Sequence, residues 1–231
     1  MGDGATTMTR DDGTATTEPL SPMQVFLRRV PPFSVIPHFL GADRVAMLLE
    51  YAMAYESRFT DTKIGEGETR RVDSSTRVSQ RLREIGPWRS EIEARMLALL
   101  PAAALTLGVT PFAPAAAELE LVAHGDGAFY KAHVDPRRRS ATNQRMISAV
   151  YYFNAAPKAF TGGALRLLAF EGDAFVDIEP ENDTLAIFPS WALHEVLPVS
   201  CPSRRFIDSR FAINCWLLRN PDPKALRASS D

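Results

Sequence analysis

Met146-Ile147-Ser148-Ala149-Val150-Tyr151-Tyr152-Phe153 is the stretch that decides how this chain folds. Successive strand side chains point to opposite faces. An extended backbone therefore puts Ile147, Ala149, Tyr151 and Phe153 on one side and Met146, Ser148, Val150 and Tyr152 on the other. The neighbouring sequence repeats the pattern. Glu118 to His124 alternates with Leu119, Leu121 and Ala123 on one face, and Gly125-Asp126-Gly127 makes a turn into a strand over Phe129 to Val134.

Downstream, Gly162-Gly163 permits a close backbone approach before a strand over Ala164 to Leu168. Phe175 to Ile178 is a short strand, Pro180 to Asp183 a turn, and Thr184 to Phe188 a strand leading into a loop that bears His194. Val196 to Val199 and Arg210 to Leu218 complete about eight antiparallel strands, a pattern that suggests a jelly-roll. The expected class is mainly β with supporting helices (α+β): a double-stranded β-helix core braced by N-terminal helices.

The first half has a different texture. Residues 1–22 are rich in Thr, Gly and Asp and have little to bury, so a disordered tail is expected. Phe33 to Leu40 reads as an extended entry, with His38 an ordinary structural or surface residue. A helix follows from Gly41-Ala42-Asp43 to Tyr55, with Val45, Leu48, Leu49, Ala52 and Met53 at helical spacing. Arg70 to Leu82 offers one or two edge strands. Pro87 opens a second helix, Trp88 to Leu100, which Pro101 is expected to end. The division expected is one domain over 23–231, with a helical support region over 23–115 and the jelly-roll over 116–220.

Among the 231 residues, hydrophobic types make up 45% and charged types 23%, as in ordinary globular proteins. A net charge of -2 gives no general reason to expect nucleic acid or a membrane surface as partner. Cys201 and Cys215 form no disulfide framework, which points to a reducing cytoplasm. No secretory signal is evident, and the nearest apolar run, Met96 to Val109, is interrupted by Pro101.

The chemistry starts at His133-Val134-Asp135, where strand geometry turns an imidazole and a carboxylate to one face. A His-x-Asp pair alone is weak. With His194 it makes two imidazoles and one carboxylate, the facial triad of non-haem Fe(II) oxygenases, which leaves coordination positions open. A 2-oxo acid chelating that metal needs a buried cation for its far carboxylate, and arginine suits it best. On the last strand, alternation places Arg210, Ala212, Asn214 and Trp216 on one face and Phe211, Ile213, Cys215 and Leu217 on the other. A buried unpaired arginine is costly, so the mixed face predicts an anionic ligand or an acidic protein partner.

Six ordered blocks carry a family resemblance: His133-Val134-Asp135; Val150 to Asn154; Gly162 to Arg166; Asp177 to Pro180; His194 to Pro198; and Arg210 to Trp216. Leu121 to Trp216 resembles the core of the prolyl 4-hydroxylase-like Fe(II)/2-oxoglutarate-dependent dioxygenases, the hypoxia-sensing prolyl hydroxylases among them. The resemblance implies His133, Asp135 and His194 as iron ligands. Arg210 and Tyr152 would hold the distal carboxylate of 2-oxoglutarate, and Leu165 and Trp216 would shape the pocket. His124 stands where relatives often carry a tyrosine, and Asn214 shares the inward face. The implied catalytic set is His133, Asp135, His194 and Arg210.

The resemblance also implies Fe(II), 2-oxoglutarate as co-substrate, O2, and ascorbate as a stimulant. Hydroxylation of a C–H bond in a prolyl or other amino-acid residue would be coupled to formation of succinate and CO2. A protein or peptide substrate is implied, or a small amino-acid-like one, with neither membrane nor nucleic acid as partner. Arg204, not Arg210, has the family's usual spacing after the distal histidine, which makes Cys201 to Ser209 an insertion. Arg210 is preferred because the strand after it matches. Pro136 to Arg139 reads as a solvated charged loop over the site, and specificity is expected in Ser57–Arg83, Arg137–Arg145 and Cys201–Ser209. The rival readings are a non-catalytic jelly-roll sensor that binds metal or 2-oxoglutarate, and a zinc hydrolase, which would have no use for the Arg210 and Tyr152 anchor.

Overall fold

The computed structural model describes residues 20–64, 71–136 and 144–219. The expected tail to residue 19 and the Arg137-Arg138-Arg139 run therefore lie outside the described residues. In chain order the elements begin with α1 (Pro22–Leu27), β1 (Ser34–Pro37), α2 (Ala42–Ala54), β2 (Thr60–Asp61), β3 (Arg77–Val78) and β4 (Gln80–Leu82). They continue with α3 (Trp88–Thr106), β5 (Pro114–His124), β6 (Phe129–His133), β7 (Gln144–Phe153), β8 (Thr161–Gly162) and β9 (Leu165–Leu168). The last are β10 (Phe175–Ile178), β11 (Thr184–Pro189), β12 (Leu193–Val196), β13 (Val199–Ser200) and β14 (Arg210–Arg219).

Seven strands form one sheet in the order β1-β11-β7-β14-β5-β4-β2, and five form a second, β10-β9-β12-β6-β3. The strand β14 sits between β7 and β5, and its register explains both faces of the large sheet. Phe211, Ile213, Cys215 and Leu217 lie level with Ala123, Leu121, Leu119 and Ala117 on one side and with Phe153, Tyr151, Ala149 and Ile147 on the other. These rows are buried in one apolar cluster with the helices, including Leu48 and Ala52 of α2 and Ile92 and Met96 of α3. A fully buried leucine such as Leu48 contributes about 2 kcal/mol relative to an exposed one. The opposite face of the same strands looks toward the five-stranded sheet. Tyr152, Ala212, Ala186 and Phe188 there meet Leu165 and Leu167 in a second apolar cluster. This is the double-stranded β-helix expected from the alternation.

The turn before β11 ties helix to sheet. Asp183, at φ 56°, accepts from the backbone N–H groups of Leu40 (2.8 Å) and Gly41 (3.0 Å) and from the Tyr151 hydroxyl (2.9 Å). Its carboxylate thus sits at the positive end of α2. Asp183→Ala is expected to lower the unfolding free energy by about 3 kcal/mol, since it strands buried donors and strains a left-handed position. Urea denaturation would read it, and a loss within about 0.5 kcal/mol, as for an ordinary surface site, would show the tie to be dispensable.

Three expectations need correction. The helix α3 does not stop at Pro101 but continues to Thr106. Pro101 removes one backbone N–H, but the alanines after it are strong helix formers, and Ala104 and Leu107 are buried. His194 lies on β12 rather than on a loop. The strand expected over Val196 to Val199 is divided: β12 ends at Val196, β13 starts at Val199, and the Pro198 carbonyl between them accepts from Gly163 N–H at 3.1 Å. One helix was also missed. Ser21 and Gln24 form a reciprocal capping box with Pro22 in the first turn of α1, a local signal of a helix start.

Candidate active site

Strands β6 and β12 are antiparallel neighbours, and His133 lies directly opposite His194. Asp135 follows two residues after His133 and reaches both rings: Oδ1 is 3.8 Å from His133 Nε2 and Oδ2 is 3.7 Å from His194 Nε2. The three donor atoms lie within 4.8 Å of one another. Each imidazole is oriented by its own strand. His133 Nδ1 is 2.8 Å from the Lys131 carbonyl and His194 Nδ1 is 2.9 Å from the Ala192 carbonyl. A carbonyl only accepts, so Nδ1 carries the proton and Nε2 presents its lone pair to the gap, the arrangement usual for metal-bound histidine.

The electrostatics suit a cation. Burial, and then the neighbouring His194, hold His133 far below the ordinary imidazole value, so its ring is neutral. Burial by itself pushes the Asp135 carboxyl upward, but His194, His133 and hydrogen bonds from Ser148 and Trp216 outweigh it and keep the group ionised. The Ser148 hydroxyl donates to Asp135 Oδ2 at 2.6 Å and lies 2.8 Å from the buried Ser190 hydroxyl. Ser190 also accepts the Asp135 backbone N–H through its carbonyl at 3.1 Å. Tyr130 stacks on His133 with ring centres 3.6 Å apart, and Phe188 meets His194 edge-on at 4.8 Å. Two imidazoles and one carboxylate, converging from one side, are a donor set that fits a divalent metal with positions left open.

The cleft between the sheets has a volume of about 1060 Å³, and its lining includes the three donors together with Arg210, Asn214, Trp216, His124 and Leu165. Arg210 is the largest fully buried side chain among the described residues, only 1% exposed. Its Nη1 donates to His124 Nδ1 at 3.2 Å, which fixes His124 as the Nε2–H tautomer. Burial, then Arg210 and Arg77, keep that imidazole well below its ordinary value and hence neutral. The guanidinium carbon lies 4.8 Å from the centre of the Tyr152 ring. Arg210 Nε and Nη2 and the Tyr152 hydroxyl have no hydrogen-bond partner among the described residues, although all three atoms are buried. Burial raises the Tyr152 phenol to about 12, so it is a hydrogen-bond donor at neutral pH.

Arg204, the competitor by spacing, is elsewhere. Its side chain is 81% exposed and pairs with Asp126 at 3.2 Å across the mouth of the insertion. That insertion is well braced: Ser203 donates to Asp208 at 2.7 Å, and Phe206 packs edge-on against Phe211 with ring centres 5.2 Å apart.

Gly163 explains how Arg210 comes to be sealed in. At φ +72° a Cβ on this residue would stand 2.7 Å from Arg210 Cδ and 2.8 Å from Val199 Cγ2. Gly163→Ala is expected to cost about 2 kcal/mol in stability and to weaken any ligand of Arg210 by displacing the guanidinium. Parallel denaturation and 2-oxoglutarate titrations would check both, and unchanged affinity would show that the guanidinium tolerates the shift.

Residues 119–218 match the family model described as the 2OG-Fe(II) oxygenase superfamily. Over that stretch the chain is similar to this superfamily. An uncharacterized PKHD-type hydroxylase of Synechocystis is 41% identical over 134 residues, a match that spans 54% of this chain and 44% of that one. A Pseudomonas putida prolyl-4-hydroxylase structure is 26% identical, with a TM-score of 0.61 over 82% of this chain and 94% of its own. A Trichoplax adhaerens prolyl hydroxylase, solved with a hypoxia inducible factor peptide fragment, is 21% identical with a TM-score of 0.62 over 87% and 88% of the two chains. This last likeness is one of fold.

Apart from Arg204, the candidates singled out from sequence line the same cleft or its wall. Sequence reading missed the supports. Ser148 had a signal, since alternation puts it on the face of Tyr152. Ser190 and Tyr130 had none, because their roles depend on pairing between distant strands. No helix among the described residues is long and apolar enough to cross a membrane.

Proposed function

We propose that this protein is an Fe(II)/2-oxoglutarate-dependent dioxygenase that hydroxylates a C–H bond of a prolyl or other amino-acid residue in a protein or peptide. The observation that carries the reading is the sealed Arg210 guanidinium, two of whose nitrogens have no partner among the described residues, beside the likewise unbonded Tyr152 hydroxyl, in the same cleft as the His133, Asp135 and His194 donors. A buried cation without an anion is unfavourable by several kcal/mol, and a ligand carboxylate would satisfy all three orphaned atoms.

His133 and His194 would hold the metal through Nε2 and Asp135 through its carboxylate, with Ser148 and Trp216 keeping that carboxylate in place. Arg210 and Tyr152 would take the far carboxylate of 2-oxoglutarate. Leu165 and Phe188 line the interior with apolar surface that excludes water. When bound, Fe(II) with 2-oxoglutarate and O2 supplies the oxidative chemistry: one oxygen atom enters succinate as CO2 leaves, and the other converts C–H to C–OH. The prolyl preference draws support from the P. putida likeness, and a peptide substrate from the complexed Trichoplax protein.

The test is to supply the purified protein with Fe(II), 2-oxoglutarate and peptide pools, then measure succinate and look for added oxygen by mass spectrometry. Binding of 2-oxoglutarate without succinate from any pool would favour the sensor, and a preference for zinc with no 2-oxoglutarate binding the hydrolase.

A further inference from the structure

The cleft holds further positive charge besides Arg210. Between Val78 and Gln80 the chain crosses from the five-stranded sheet to the seven-stranded one, since Arg77 pairs with Tyr130 on β6 while Arg81 pairs with Val122 on β5. Both guanidiniums converge on Glu120: Arg77 Nη2 is 3.5 Å from Oε1, and Arg81 Nη1 is 3.1 Å from Oε2. The three side chains are nearly buried, with 10%, 11% and 9% exposure for Arg77, Arg81 and Glu120. All three line the cleft.

One carboxylate balances one of these two cations. Among the described residues the wider lining does not correct the difference, because seven lysine or arginine side chains face the cleft against four carboxylates. One of those four is the metal-site Asp135, and another, Glu118, is bonded to Arg145. A clamp meant only to join the sheets needs one arginine. Two sharing one acid leave donors and charge for something else, as each guanidinium has five N–H groups. Arg77 is also held in place. Its Nε donates to Ser79 Oγ at 3.0 Å, and its guanidinium lies over the Tyr130 ring at 4.6 Å. Tyr130 in turn stacks on His133. A group bound by Arg77 would thus sit one aromatic ring away from a metal ligand.

We propose that Arg77 and Arg81, bridged by Glu120, form a carboxylate-binding subsite that selects substrates bearing an acidic group next to the C–H bond to be oxidised. The proposal rests on the dioxygenase reading, which makes this cleft the substrate's. The carboxylate has two possible sources: an aspartate or glutamate flanking the target in a peptide, or the α-carboxylate of a free amino acid. The location agrees with the segment Ser57–Arg83, where specificity was expected from the sequence.

The probes are two fluorescent peptides, identical but for Asp or Asn beside a central proline, titrated without oxygen onto the full chain with Fe(II) and 2-oxoglutarate. Free proline and prolinamide serve as competitors. The acidic member of at least one pair is expected to bind about tenfold more tightly than its amide. That ratio should fall to near one in Arg81→Gln and persist in Arg81→Lys. A merely structural role would weaken both members alike and leave the ratio standing. The peptide pair reports a flanking residue, the proline pair an α-carboxylate. Equal or undetectable binding of both members in both pairs overturns the proposal, as does a preference that survives Arg77→Gln and Arg81→Gln together. Absence of succinate formation in air sinks the dioxygenase reading alone, because the binding ratio is read without turnover.

Discussion

Asp135→Ala is expected to abolish both iron retention and succinate formation, the largest effect of any single substitution in this chain. An imidazole brings no negative charge to a metal, so Asp135 carries the only formal negative charge in the three-donor cluster. Losing it leaves a dication facing two imidazoles. The magnitude can be bracketed through its support. Partners that orient a metal ligand typically cost about 10–100-fold in metal affinity or activity when removed, which is the range expected for Ser148→Ala, since Ser148 donates to Asp135 Oδ2. Asp135→Ala must exceed it. Metal content after gel filtration and succinate yield, measured in parallel, check the ordering wild type, Ser148→Ala, Asp135→Ala. A variant that kept stoichiometric iron and turnover would remove Asp135 from the metal site.

That ordering draws on features the sequence exposes unequally. Face assignments on β5, β7 and β14 were legible because the two faces of this sheet do different work. One packs on α2 and α3 and must be apolar, and the other lines a cleft and admits Arg210, Asn214, Ser148 and Glu120. On β14 a period of two therefore runs from Arg210 to Leu217, where the register with β7 shifts. The helix α2 was legible for the same reason at a period of 3.6. Where elements are short, the surroundings decide. The four residues Leu193–Val196 become a strand because β9 and β6 flank them on either side, and nothing in Leu-His-Glu-Val announces that. Likewise Pro101 reads locally as a stop, yet the burial of Ala104 and Leu107 carries α3 past it. The Arg77–Glu120–Arg81 group is the extreme case. Two residues four apart on different sheets meet an acid some forty positions later, and only register places them together.

Arg210 shows how a site residue is distinguished from a structural one by the sign of its effect on stability. Truncating one partner of a buried, hydrogen-bonded charge pair costs about 2–5 kcal/mol in binding. Arg210→Met is therefore expected to weaken 2-oxoglutarate by about thirtyfold to a few thousandfold. The ligand-free protein should respond in the opposite sense. Wild-type Arg210 is fully desolvated, with Nε and Nη2 unbonded, and replacing such a cation by an apolar side chain of similar length is often neutral or stabilising by about 1–4 kcal/mol. Part of that gain is offset because His124 Nδ1 loses its donor, at a cost of about 1–3 kcal/mol. The net expectation is a ligand-free stability close to or above that of the wild type, together with loss of the thermal stabilisation that 2-oxoglutarate confers. Arg204→Ala, at an exposed position paired with Asp126, should change neither quantity. Urea denaturation with and without 2-oxoglutarate and metal reads all three proteins. If Arg210→Met instead unfolds readily while its residual affinity matches the wild type, Arg210 is a structural residue and the anchor for 2-oxoglutarate lies elsewhere.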